Sequence, residues 1–71
     1  MRPVSGKDLC RVLERNWWAF ARVSGSHHVY RRSGTPRQLC VPVGGKAPLK
    51  RGLVAFLLKA AQLTEADLWV T

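Results

Sequence analysis

Two adjacent histidines, His27 and His28, follow Gly25 and Ser26 and run straight into Val29, Tyr30, Arg31 and Arg32. Imidazole titrates nearest neutrality and suits proton transfer in either direction, while guanidinium groups offer forked donors to phosphate oxygens. Metal ligation, triad-type catalysis and metal-free proton transfer on a phosphodiester are the chemistries such a stretch could serve. The rest of the chain argues against the first two. Zinc needs three or four converging ligands, and the only histidines and cysteines are His27, His28, Cys10 and Cys40, at spacings that match no common finger or ribbon. A magnesium-dependent nuclease holds its ion through carboxylates, and none lies between Glu14 and Glu65. A triad lacks an acid near enough in sequence to orient either histidine, although Asp8 or Glu14 could approach in space. No metal and no cofactor is expected.

Metal-free cleavage of RNA survives this elimination. RNA carries its own nucleophile, the 2′-hydroxyl, and needs only proton transfer and cationic stabilisation of the transition state. In a strand, successive side chains point to opposite faces, so at most one of the two histidines belongs to a small site. His27 shares its face with Val29 and Arg31, and His28 shares its face with Tyr30 and Arg32. On residue chemistry alone, catalysis, phosphate binding and a plain structural role all stay open for these residues.

The charge balance names the partner class. The 71 residues carry twelve Lys and Arg against four Asp and Glu, a formal net charge of +8. Nine of those twelve cations, from Arg15 to Lys59, fall in the carboxylate-free interval. A surface of that kind fits a polyanion. The length allows one domain, residues 1–71, with a compact core. Cys10 and Cys40 form no CxxC pair, the N-terminus has no secretory apolar region, and the longest apolar run, Leu53 to Leu58, is too short to span a bilayer. These features predict a reduced, cytoplasmic protein without membrane association.

The elements that must position the histidines follow from pattern. Ser5 with Asp8 three residues on is a capping-box start, and Leu9, Val12 and Leu13 recur at helical spacing, which predicts an amphipathic helix ending near Asn16. Trp17 to Val23 is aromatic and β-branched, and Ser24-Gly25-Ser26 is a turn before His27–Arg32, so the two runs predict a hairpin. After the turn at Ser33-Gly34-Thr35-Pro36, Arg37 to Val43 reads as a third strand, with Leu39, Val41 and Val43 on one side and Pro42 near its end or on an edge. Gly44 to Pro48 connects to a second helix with an apolar stripe of Leu49, Leu53, Phe56, Leu57 and Ala60. Thr64 to Asp67 repeats the cap-and-acid pattern and starts a last turn through Trp69. The predicted class is α+β in the order α-β-β-β-α, a three-stranded antiparallel sheet with two helices on one face and the other face left to solvent or a ligand.

Four ordered stretches, "VSGKDLCRVLERN", "GSHHVY", "VPV" and "KAPLKRGLVAFLLKAAQLTEADL", closely resemble the HicA family of toxins, the mRNA interferase partners of HicB antitoxins. The resemblance covers nearly the whole chain. It implies a fold like that of a double-stranded-RNA-binding domain (dsRBD-like), and a metal-independent endoribonuclease acting on mRNA through the histidine after Gly-Ser, here His27. It makes His28 a bystander; Gly25 then supplies turn geometry that a Cβ would strain, and Ser26 is expected to hydrogen-bond to the turn or the substrate. On that reading the phosphate contacts are expected among Lys50, Arg51, Arg31 and Lys7. It also implies a HicB-like antitoxin, with DNA touched only indirectly through that complex. The rival reading is a non-catalytic RNA-binding module of the same fold. Two departures stand out. Where the family carries Asn-Gly-Trp or Asn-Gly-Phe after the first helix, this chain has Asn16-Trp17-Trp18, and where Val-Pro-Val-His is frequent it has Val41-Pro42-Val43-Gly44.

Overall fold

The computed structural model describes residues 2–69. Its elements run α1 (Gly6–Arg15), β1 (Ala19–Ser24), β2 (His27–Arg31), β3 (Gln38–Pro42), α2 (Arg51–Ala60) and a closing 3-10 segment, Glu65–Trp69. The strands form one antiparallel sheet in the order β1-β2-β3, so the strand that carries both histidines is the middle one.

Local chemistry starts the first helix as the sequence predicts. The Asp8 amide donates to Ser5 Oγ at 3.1 Å and the Ser5 amide donates back to Asp8 Oδ2 at 3.3 Å, a complete capping box. The last turn is held in a similar way, with the Thr64 amide donating to Asp67 Oδ2 at 2.7 Å. Both helices also end alike. The Trp18 amide reaches back to the Leu13 carbonyl at 3.0 Å, and the Leu63 amide to the Leu58 carbonyl at 2.8 Å. In each case the residue before the donor is left-handed, Trp17 at φ 72° and Gln62 at φ 63°. This is the Schellman closure, which normally employs glycine at that position.

Tyr30 pairs with Leu39 and His28 with Val41, and this face of the sheet meets the helices. Tyr30, Leu39 and Val41 join Leu9, Leu13, Trp18, Val54, Leu57 and Leu58 in one core. The inward line of α2 is Val54, Leu57, Leu58 and Ala61, at helical spacing, whereas Phe56 is 61% exposed. The expected stripe through Phe56 is therefore corrected. The helix is apolar around much of its circumference, so periodicity alone does not select the buried line, which ends at Ala61 beside the buried Trp18. Leu49, Leu53 and Ala60 are partly buried at the margin of the core.

The two helices run in the same direction. Their starts meet where the Leu49 amide donates to the Val4 carbonyl at 2.8 Å, and their ends meet where Trp18 Nε1 donates to the Ala61 carbonyl at 3.4 Å. At α1's first residue, a Cβ on Gly6 would fall 1.9 Å from the Pro42 carbonyl oxygen, so only glycine lets the helix start lie against the end of β3.

Candidate active site

The turn that presents His27 has two residues, Gly25 and Ser26, between the paired Ser24 and His27. Gly25 has φ 60° and Ser26 does not share that sign, the pattern of a type II′ hairpin turn, which places glycine first. The Ser26 carbonyl accepts from the Val43 amide at 2.8 Å, which closes the third strand onto the same turn. His27 opens β2 opposite Pro42.

Strand alternation then separates the histidines. His28 lies on the helix side, its Nδ1 4.0 Å from Cys10 Sγ and its ring edge-on to Phe20 with centroids 5.2 Å apart. His27 is exposed on the open face, in line with Val29 and Arg31. Arg31 pairs with Gln38 at the far end of the strand, four residues and about 13 Å from His27 at the usual strand rise.

A bulge in β1 adds a cation that the sequence reading missed. The pairing passes from Phe20 opposite Tyr30 directly to Arg22 opposite Val29, leaving Ala21 as the extra residue. The bulge turns Arg22 from the helix side to the open face. There Arg22 Nη2 donates to Gln38 Oε1 at 3.4 Å, bridging the outer strands across Val29, which is 1% exposed although it faces away from the helices. Alternation by itself put Arg22 on the other side, and no local signal in the sequence marked the bulge.

The expected phosphate contacts divide into two groups. Lys7 stands in the first turn of α1, and Lys50 and Arg51 begin α2, so the Val4–Leu49 bond joins their segments near the end of the sheet where Pro42 pairs with His27. Lys50 caps α2 with extended backbone and no side-chain hydrogen bond, and no acid stands in that helix's first turn. The uncapped start of α2 brings its partial positive charge to this end, while the Asp8 carboxylate offsets that of α1. Arg31 belongs to the other end, beside Arg32.

Beneath the sheet, Tyr30 Oη donates to Glu14 Oε2 at 2.6 Å. Burial, then hydrogen bonds to Cys10 and Glu14, push the Tyr30 phenol far above its ordinary range. Burial likewise pushes the Cys10 thiol up, with the Tyr30 hydrogen bond acting in the opposite direction and the Glu14 charge adding to the rise. The phenol and the thiol are buried beneath the sheet and do not reach the open face. No cluster of three or more histidine, cysteine or acidic side chains among the described residues could hold a metal ion.

A sequence family described as the HicA toxin of bacterial toxin–antitoxin systems matches residues 6–63 of the 71. The chain belongs to the HicA toxin family. A comparison with curated proteins finds no match. As a HicA toxin the protein has an antitoxin for a partner. The matched span runs from the first residue of α1 to the closure of α2, and it contains Lys7, Gly25, Ser26, His27, Arg31, Lys50 and Arg51. It also contains Trp17 and Gly44. No helix among the described residues is long and apolar enough to cross a membrane.

Proposed function

We propose that this HicA toxin is a metal-independent endoribonuclease that cuts mRNA, with His27 as the proton-transfer residue. The observation that carries the reading is the exposure of His27 on the open sheet face, beside the end of the sheet where both helices begin with Lys7, Lys50 and Arg51. An RNA phosphate docked there meets cations and helix amides from one side and an imidazole from the other. The 2′-hydroxyl attacks the adjacent phosphorus, the new 2′-oxygen–phosphorus bond forms as the 5′-oxygen–phosphorus bond breaks, and a proton moves from the nucleophile to the leaving oxygen. His27 serves one end of that transfer. Lys7, Lys50 and Arg51 stabilise the charge that builds on the phosphoryl oxygens. Ser26 contacts the substrate beside His27, Gly25 holds the turn, and Arg31 takes a more distant phosphate. A HicB-like antitoxin silences the enzyme by covering His27.

The test is incubation of labelled single-stranded RNA with wild-type protein and with His27→Ala, in EDTA, with circular dichroism on both. Cleavage by the wild type alone, with 5′-hydroxyl products, supports the reading. Binding without scission by both proteins replaces it with the non-catalytic RNA-binding module.

A further inference from the structure

Trp17 is the most exposed large apolar side chain among the described residues, at 84%. It is also held in the left-handed region, φ 72°, which is costly for a bulky side chain and free for glycine. Nothing in the closure of α1 requires the indole. The Trp18 amide makes the closing bond, and the Trp18 ring, 2% exposed, fills the core. Trp17 instead forms one wall of an open hollow of about 300 Å³ whose other walls are Ala19, Arg31, Arg32 and Ser33.

One cation of the hollow, Arg32, is anchored by its neighbours. The Arg32 guanidinium lies 4.8 Å over the Trp18 ring and donates to Gln62 Oε1, which fixes it between the two helix ends. Arg31 leaves the same strand that begins with His27 and stands on the same face. A planar indole beside two guanidinium groups and a hydroxyl has the chemistry of a nucleotide subsite, since the π-face takes a base and the cations take its phosphate.

We infer that Trp17, Arg31, Arg32 and Ser33 form a second nucleotide subsite, in which an unpaired base stacks on Trp17 at a fixed distance from His27. The occupant is single-stranded RNA, because stacking on an indole requires a base released from its helix and Arg31 lies about 13 Å along the strand from His27, a span of a few nucleotides. The inference rests on the reading of RNA as substrate and adds the element that orients it.

The experiment uses fluorescence anisotropy of a short single-stranded RNA on the full chain carrying His27→Ala, so that binding is read without cleavage. Adding Trp17→Gly is expected to weaken binding roughly fivefold to a hundredfold, the loss of one stacked base. The slope of affinity against salt should stay unchanged, while Arg31→Gln should lower it by about one phosphate contact. Trp17→Phe keeps a stacking face and should restore most of the loss. Glycine suits the backbone at position 17, so unfolding does not explain the result, and thermal melting checks it. Unchanged RNA affinity in Trp17→Gly overturns the subsite, and if antitoxin affinity falls instead, the hollow is a protein anchor. Cleavage by the His27-bearing chain is scored separately: a stacking effect without cleavage leaves the subsite standing and removes the enzyme, whereas cleavage without a stacking effect does the reverse.

Discussion

Gly44 lies so close to Ser26 that a Cβ built on it would fall 2.7 Å from the Ser26 Cβ. The hydrogen bond from the Val43 amide to the Ser26 carbonyl fixes this approach one residue earlier. The backbone at Gly44 thus leaves no room for a side chain beside the residue that precedes His27.

Gly44→Ala is therefore expected to displace Ser26 and the imidazole next to it. A shift of several tenths of an ångström at a reacting group is expected to cost about tenfold or more in single-turnover RNA cleavage. The overpacking should cost about 1–3 kcal/mol in a urea melt. Cleavage and stability both equal to wild type would mean that the turn yields without consequence for His27.

The two histidines should separate in mutagenesis. His28→Ala loses the edge-on contact with Phe20 and the approach to Cys10, and should cost about 1 kcal/mol of stability while cleavage persists. His27→Ala should leave stability within about 0.5 kcal/mol, as expected of an exposed position, and remove cleavage. Denaturant melts and cleavage assays on the same preparations check both.

Much of this arrangement is legible in the sequence. The Ser5–Asp8 cap, the Gly25-Ser26 turn and the alternation of Leu39 and Val41 are short-range signals, and each fixes an element within a residue or two. Family resemblance selected His27, and strand alternation placed His28 on the opposite face without saying which face the helices cover. Three features stayed hidden because packing and backbone conformation decide them. The bulge at Ala21 moves Arg22 to the open face, α2 buries Val54, Leu57 and Leu58 and leaves Phe56 exposed, and the Schellman closure makes Trp17 left-handed. The missing glycine at position 17 was visible in the sequence as a departure, but its meaning depended on the φ angle.

That angle carries a stability prediction of its own. Trp17→Gly relieves a left-handed tryptophan and should raise stability by about 1 kcal/mol, which for a domain this size is a rise in Tm of about 4–8 °C. Gln62→Gly relieves the same geometry at α2 but loses the hydrogen bond from Arg32, so its gain should be smaller. Scanning calorimetry of the two variants gives the order. A lower Tm for Trp17→Gly would mean that the indole packs usefully despite its exposure.

Alkaline pH should weaken the fold through the pair beneath the sheet. Cys10 and Tyr30 are both held protonated in the native state by burial, while in the unfolded chain they ionise near pH 8.5 and near pH 10, about the ordinary thiol and phenol values. Above roughly pH 8.5 the unfolded state binds fewer protons than the native one, so the stability that is complete below that point falls as pH rises. Tyr30→Phe removes the phenol's share of this fall and should flatten the upper part of the curve. It also leaves the Glu14 carboxylate without its 2.6 Å donor, which should cost about 1–3 kcal/mol at neutral pH. Urea melts of wild type and Tyr30→Phe between pH 7 and pH 11 measure both effects. A wild-type curve that stays level to pH 11 would show that Cys10 and Tyr30 ionise as readily in the native protein as in the unfolded chain.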